Sequence, residues 1–433
     1  MSNFKLVKFE DLVHRVKVGF VGSINDFYCD KENGIPLIRT TDLNDHGIDY
    51  SNLKYVTKAF HLKNKKSQVK KGDIIIARHG DNGKANVFKE NFEAQVLNAV
   101  IIEPNQKLLT SNLIKIFFDS PFIKKQILGD VKGSVQGVIN TAHIANILFP
   151  INDSINYEEV SSLISSLDSK IELNNSINAE LEAMAKTLYD YWFVQFDFPN
   201  AKGKPYKSSG GKMIWNEELK REIPEEWVVK NLFVAMDVQY GFPFDTTKFT
   251  DDETQKPVIR IRDILENTIS TYSTEEVNDK YKLFSKDLLI GMDGNFHLNF
   301  WDKDGAYLNQ RSVRIRSRKN SETSNFQAYF QLTPYMRARE KNISRTTVGH
   351  LSDKDLKSLF LLQPIRTEHF KPKETFDSFL SKIISNRLEN QKLSELRDWL
   401  LPMLMNGQVK VKDAEDMLAM AAEQKEEYLT KKK

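Results

Sequence analysis

The chain has 433 residues, 28% of them charged and 40% hydrophobic, with a formal net charge of +3 and a mean hydropathy of −0.47. That length implies more than one domain, and the composition is that of a soluble globular protein. No apolar run reaches the roughly 18 residues of a membrane span, and MSNFKLVKFEDLVHRV lacks the apolar stretch of a signal peptide. A single cysteine, Cys29, excludes an intrachain disulfide framework and fits a cytoplasmic, reducing setting.

In chain order, residues 1–152 predict a mixed α/β domain. IPLIRTTDL (35–43), SQVKKGDIIIARHG (67–80), KANVF (84–88) and AQVLNAVIIEP (94–104) read as strands, rich in β-branched residues and bounded by Gly, Asn and Asp. SNLIKIFFDSPFIKKQIL (111–128) has helical periodicity, with Ser111 as its cap and Gly129 as its stop. TAHIANILFP (141–150) leads into a long helix over 153–198, started by Asp153 and Ser154, with Glu158 and Glu159 at the positive end of its dipole. Pro199 cannot continue it. AKGKPYKSSGGKMIWNEELKREIPEEW (201–227) then reads as a Gly/Lys/Ser-rich linker and domain boundary. Its GGKM is not a phosphate-binding loop, because Tyr206 stands where the first Gly is needed and Met213 where Ser or Thr is.

The long helix carries Val160, Ile164, Leu167, Ile171, Asn174, Asn178, Leu181, Ala185, Leu188 and Trp192 at strict 4-3-4-3 spacing, the seam of a helix packed on another helix. At an offset of 212 the same pattern returns as Phe376, Phe379, Ile383, Asn386, Asn390, Leu393 and Leu400, with the Asn pair in register. The rest of the second half is also a copy. KPVIRIRDI (256–264) matches IPLIRTTDL, FSKDLLIGMDG (284–294) matches KKGDIIIARHG, and GHLSDKDLKSLFLL (349–362) matches GVINTAHIANILFP. Offsets that drift in loops and hold in the helix indicate duplication followed by loop divergence.

The expected fold is therefore α+β: two tandem mixed α/β globules, each followed by a long helix, the two helices pairing as an antiparallel coiled coil. The boundaries are 1–152 for the first globule, 153–198 for its helix, 199–368 for the linker and second globule, 369–412 for the second helix, and 413–433 for a charged tail. The seam asparagines have two readings, a buried polar layer that rejects wrong registers or a solvated edge. A helix of about 35 residues spans roughly 50 Å at ~1.5 Å per residue, which makes the pair a ruler between the globules. Segment 153–198 holds nine carboxylates against two lysines, so it is more suited to meeting protein than phosphate.

At this point the chain resembles a known family. The order of parts, with GDIIIARHG, GSVQGVIN, LNNSINAELEAMAKTLYDYWF, GKPYKSSGGKMIWNEELKREIPEEW and ENQKLSELRDWLLPMLMNGQV, is similar to the DNA-specificity subunit of type I restriction–modification systems over about residues 1–412. The resemblance implies two target-recognition domains, each reading one half of a split double-stranded DNA site. It also implies helices that space the domains and dock two modification (methyltransferase) subunits, with nuclease–translocase restriction subunits in the full complex. It implies a non-catalytic chain with no cofactor of its own, S-adenosylmethionine, ATP and Mg2+ being bound by the partners. One departure is that the first globule starts at FKLVKFEDL, without the IPEEW found at 223–227.

Contacts to DNA need Lys or Arg for phosphates, and Arg, Lys, Asn, Gln, Ser or Thr for base edges. In the first globule the candidates are Lys65 and Lys66, from a lysine run without an acid, and Arg78, His79, Asn82 and Lys84 around a Gly-containing turn. The second globule offers Arg311, Arg314 and Arg316 in RSVRIRSRK, then Arg337, Arg339, Arg345, Thr346 and Thr347, and Asn295 and His297 in MDGNFHLNF. For each set the alternative is ordinary surface charge or a plain hairpin. Arg39 and Arg260, matched with Asp42 and Asp263, read as internal salt bridges. For partner docking the candidates are Met184, Tyr189, Tyr191, Trp192, Phe193, Leu396 and Trp399, because each helix end has more apolar residues than one seam can bury. The alternative is burial against the protein's own globules.

Two other functions stay open at this level. One is a pseudo-symmetric protein-interaction scaffold, which would show no DNA selectivity. The other is a self-contained DNA-modifying enzyme, although the chain has no NPPY-like or Gly-rich cofactor motif, and His61, His79 and His143 lack metal-ligand spacing.

Overall fold

Three consecutive isoleucines, Ile74, Ile75 and Ile76, leave a strand no polar side, so it must lie in a sheet covered on both faces. The computed structural model, which describes residues 4–44, 47–78, 83–132, 138–152, 154–294, 296–341, 349–365, 370–405 and 407–415, places it so. The chain forms two compact units, Met1–Ser169 with Leu393–Lys433, and Lys170–Lys392. No helix among the described residues is long and apolar enough to cross a membrane.

In the first unit, an antiparallel sheet runs Ala85–Val87, Ile74–Ala77, Ala99–Pro104, Val13–Val18 in spatial order. Ile75 pairs with Ile101 and Ile76 with Val100. Ile74 and Ile76 face a core that includes Phe117, Phe149 and the helix residues Val160 and Ile164. Ile75 and Ala77 face the opposite core with Ile38, Val69 and Val96. A second sheet, in the order Tyr28–Cys29, Lys54–Val56, Ile35–Arg39, Ala94–Leu97, Gln68–Val69, supplies that opposite side, with Ile35–Arg39 and Ala94–Leu97 parallel. Lys5–Lys8 pairs with Leu148–Ile151.

The second unit repeats the plan. Its main sheet is Leu298–Phe300, Leu288–Gly291, Ser312–Ser317, Met236–Tyr240, and its second sheet is Phe249–Thr250, Tyr272–Ser273, Lys256–Ile259, Tyr307–Leu308, the last two parallel. Trp227–Asn231 pairs with Phe360–Pro364 as Lys5–Lys8 does with Leu148–Ile151, so FKLVK supplies the opening strand without IPEEW. One pair of glycines marks the copy sharply. Gly19 N donates to Ala99 O and Gly241 N to Ser312 O, both at 2.9 Å. A Cβ would meet the Val96 carbonyl oxygen at 2.5 Å in one case and the Asn309 carbonyl oxygen at 1.8 Å in the other, so each close approach requires glycine.

Several local expectations are corrected. The single helix over 111–128 is two, Ser111–Asp119 and Pro121–Lys132, capped by Thr110 instead of Ser111, and Gly129 does not stop the second. Ser120 leaves the first helix at φ −68°, ψ 145°, and Pro121 opens the second at its first position, where the missing N–H costs nothing. Its counterpart Pro334 lies inside the continuous helix Asn325–Lys341. The first long helix starts at Tyr157, where Asn156 Oδ1 accepts from the Glu158 and Glu159 amides, later than Asp153 and Ser154. The expected linker is ordered: Met213–Asn216 pairs with Arg221–Pro224, and Tyr206 stacks on Phe198 at 4.7 Å.

The helices Tyr157–Tyr189 and Pro372–Met405 are each unbroken. Pro402 does not end the second; Gly407, at φ 72°, does. In the second unit they run antiparallel with the asparagines in contact. Asn174 Nδ2 donates to Asn390 Oδ1 at 2.9 Å, and Asn386 Nδ2 to Asn178 Oδ1 at 2.8 Å. Because Asn174 matches Asn386 and Asn178 matches Asn390 in the repeat, exchanging the helices maps one bond onto the other. Asn174, Asn178 and Asn386 are buried, so the solvated-edge reading is excluded for them. Ile383 is buried beside them, while Ile171, Leu181, Leu188 and Phe379 are half-buried. In the first unit the seam continues through Ile164, Leu167, Leu393 and Leu400, and Arg397 donates to Asp168 at 2.8 Å.

Candidate nucleic-acid interface

Lys65 and Lys66 project from a tight turn, Lys65–Ser67, and both are exposed. The turn is held from below. Ser67 Oγ donates to Gln95 Oε1 at 2.5 Å, and Gln95 Nε2 lies 3.1 Å from His61 Nδ1, all three side chains buried. Two flexible cations on a fixed base can follow a phosphate backbone without ordering the loop first.

Arg78 is half-buried where the strand Ile74–Ala77 ends. Its Nε donates to Ile139 O at 2.9 Å, while Ile139 N donates back to Arg78 O at 3.2 Å. This ties the strand end to the GVIN segment. Lys84 is half-buried, and its carbonyl accepts from Ala77 N at 3.0 Å. His79 and Asn82 lie outside the described residues, as do Asn295, Arg345, Thr346 and Thr347.

The arginine alternation in the second unit has a different explanation from DNA contact. Arg314 is almost fully buried and bonds Asp237. Arg316 forms a bidentate pair with Asp287, 2.6 Å on each arm, and stacks on Phe284 at 4.6 Å. Burial pulls the Arg314 guanidinium below its ordinary range, with Arg316 adding to the effect, and burial pushes the Asp287 carboxyl up against the pull of Arg316. Both arginines are therefore internal charges, and neither is free to reach a duplex. The partners come from elsewhere in the chain, Asp237 on the neighbouring strand and Asp287 just before the strand Leu288–Gly291, so the alternation itself does not show them. Arg339 is also committed, to Asp355 at 3.0 Å. Arg337 is exposed at the edge of a cavity of about 510 Å3.

Arg311 remains. Its side chain is 59% exposed, and its NH1 lies 3.4 Å from Asp293 Oδ2. The other Asp293 oxygen lies 2.6 Å from His350 Nδ1. His297 is half-buried, its carbonyl accepting from Gly291 N at 3.0 Å. Asp293 and His350 went unnoticed in the sequence because they lie 57 positions apart. The matched Arg39 and Arg260 are internal: Arg39 binds Asp42 through Nε and NH2, and Arg260 Nε lies 3.7 Å from Asp263. Among the described residues no three metal-ligating side chains cluster.

The apolar helix ends divide into two classes. Phe193 is fully buried, Tyr189 packs on Phe193 and Phe330, Trp192 packs edge-on to Phe370, and Leu396 packs on the first unit's core. These four pack on the protein's own interior, Phe193 fully and the other three in part. A π-helical turn, Asp190–Val194, makes the sorting possible by rotating Phe193 inward, and Arg221 caps the Phe193 carbonyl at 2.9 Å. Met184, Tyr191 and Trp399 stay exposed, joined by Val194, which periodicity alone did not single out. The first unit also has an apolar groove of about 850 Å3 that includes Leu6, Phe122, Leu401 and Met405.

With this geometry in place, similarity to known proteins is specific. The family model for the type I restriction modification DNA specificity domain matches twice, over residues 1–183 and 224–398. The EcoBI specificity subunit of Escherichia coli is 31% identical over 195 residues, 44% of this chain and 41% of that subunit. The MjaIX specificity subunit of Methanocaldococcus jannaschii is 23% identical over 275 residues, 59% of each. These matches thus span about half the length of either relative. The crystal structure of the type I restriction-modification S subunit from M. genitalium aligns at a TM-score of 0.51 and 13% identity, over 93% of this chain and 96% of that one, a likeness of fold.

Proposed function

Because the chain belongs to the type I restriction–modification DNA specificity family, we propose that it is the non-catalytic recognition subunit of such a complex, reading a split double-stranded DNA site with one globule per half. The observation that carries this is the duplicated frame. Two units share main-sheet order and strand register, and each includes a stretch of both long helices, which supports two reading heads on one polypeptide. Phosphate contacts in the first head fall to Lys65 and Lys66, with Arg78 and Lys84 beside the turn as further DNA contacts. In the second head the DNA contacts fall to Arg311, His297 and Arg337.

The helices have a second task. Met184, Tyr191, Val194 and Trp399 offer large apolar side chains to solvent on otherwise polar surfaces, the pattern of a protein interface. Two methyltransferase subunits dock there, and a nuclease–translocase joins through them. S-adenosylmethionine, ATP and Mg2+ chemistry belongs to those partners.

The test uses the purified chain with its cognate modification subunit on random-sequence duplex DNA, scoring protected or methylated sites. A split motif with a fixed gap is expected, and exchanging residues 1–152 for another first globule should change one half only. No selectivity with the partner present, or change in both halves, would sink the reading.

A further inference from the structure

Each unit has one corner where the end of a main-sheet strand is bonded to the segment entering a short helix, beside the residue that precedes the neighbouring strand. In the first, Ile139 N donates to Arg78 O, and Asn98 stands across the strand pair, next to the Ala77–Ala99 pairing. In the second, Leu351 N donates to Met292 O at 2.8 Å, Met292 N donates to Arg311 O at 2.9 Å, and Gly294 N donates to Gly349 O at 2.9 Å. By the strand register Met292 occupies the place of Arg78, and Arg311 that of Asn98. The bond from the helix-entering segment to the strand end is copied. The guanidinium is not: one unit delivers it from the strand end, the other from the residue across the ladder.

Arg311 holds that place at a cost. Its φ is 65°, in the left-handed region, as is that of Asn98 at 58°. Asparagine tolerates this conformation, while for arginine it is strained. A fold needing only a turn would be served by Asn or Gly, so the strain points to a use for the side chain. Asp293 divides its two oxygens between Arg311 and His350, which come from separate segments. Among the described residues nothing else engages the outward nitrogens of either group.

Resting on the recognition function above, we propose that Arg311 reads a guanine edge in the half-site of the second unit. Asp293 and His350 are the positioning residues that aim it, and Arg78 does the same work in the first unit from a non-equivalent place. A guanidinium matches guanine O6 and N7 with two donors, and a carboxylate behind it fixes the fork.

The test is selection from random duplex DNA by the full chain with its cognate modification subunit, comparing wild type with Arg311→Lys, Asp293→Asn and Arg78→Lys. Thermal melting of each variant reports folding separately. Arg311→Lys is expected to lower discrimination for guanine about tenfold at one position of one half-site, leaving the other half unchanged. Asp293→Asn should weaken the same position by less at an unchanged melting temperature, and Arg78→Lys should act on the opposite half. An unchanged motif, a uniform fall over all sequences, or a shift in both halves overturns the proposal while a wild-type split motif leaves the function standing. A wild type without a split motif overturns both.

Discussion

Replacing Asn386 with leucine tests whether the asparagine layer specifies the helix pair. Asn386 is 1% exposed and is the close donor to Asn178 Oδ1; Asn178 is 8% exposed, and its own amide reaches only Ile383 O, at 3.4 Å. Leucine at 386 therefore strands a buried carbonyl oxygen, at a cost of about 1–3 kcal/mol. Asn178→Leu strands the Asn386 amide at a similar cost. Making both changes removes donor and acceptor together, and a buried polar pair replaced by apolar side chains of like volume is roughly neutral or stabilising. The double variant should thus be more stable than the sum of the singles by about 2 kcal/mol or more. Urea denaturation of the four proteins, followed by far-UV circular dichroism, measures this. The pair Asn174–Asn390 is an internal comparison. Asn174 also donates to Glu389 and Asn390 to Asn175, with Asn390 half-buried, so substitution there leaves water and other partners to compensate. Its coupling should be below about 1 kcal/mol. Additive effects at the 178–386 pair, within about 0.5 kcal/mol, would refute the polar layer.

Other consequences are as direct. Burial pushes the Asp302 carboxyl up to about 6 even with Arg387 nearby, so the folded state holds this proton more tightly than the unfolded chain. The sign follows: stability is greatest below pH 4 for this group and is lost as pH rises through 6, by roughly 3 kcal/mol at most, and Asp302→Asn should flatten that stretch of a urea-midpoint profile. Arg314→Met should leave DNA affinity unchanged and stability nearly so, whereas Asp237→Ala, which leaves a buried cation alone, should cost about 3 kcal/mol or more by denaturation. Reduced DNA binding by a well-folded Arg314→Met would contradict its internal role. Lys65→Ala with Lys66→Ala should weaken binding evenly across sequences and flatten the slope of log affinity against log salt by roughly 2; an unaltered slope would remove both as phosphate contacts.

The frame was legible because periodicity is a backbone property. The seam residues repeat at 4-3-4-3 spacing, the Asn pairs recur at one offset, and the strands of GDIIIARHG and FSKDLLIGMDG recur as matched sheet centres. What sequence could not give was which side of a strand faces a partner of opposite charge. Arg314 and Arg316 alternate as exposed cations would, and only the fold shows Asp237 bonded to Arg314 and Asp287 to Arg316. Helix ends failed for a related reason. A 3.6-residue period continued through 190–194 puts Phe193 only at the margin of the seam, yet it is buried, because five residues of π-helix shift the phase. Pro121 and Pro334 show the limit from the other side. The same residue at the matched place breaks one helix and is absorbed by the other, where Thr333 Oγ1 donates to Tyr329 O at 2.6 Å in the turn just before the proline.

Duplication explains why the corner, and not the sheet interior, is where the two units can carry different exposed donors. The bonds that define the corner run between main-chain atoms, Ile139 to Arg78 and Leu351 to Met292, so they constrain φ and ψ but not side-chain identity. The sheet interior has no such freedom, since exchanging Ile101 for Arg314 required Asp237 in the neighbouring strand to accept the charge. A side chain at the corner can leave part of its polar surface to solvent: Arg78 is half-buried with Nε on the Ile139 carbonyl, and Arg311 is 59% exposed beside Asp293. Arg78 and Arg311 therefore could arise at non-equivalent positions without disturbing either core. Once Arg311 occupied a left-handed position, Asp293 and His350 could fix its direction from segments already bonded beside it. Two units with one main-sheet frame and different donors at that corner suit the split target proposed above.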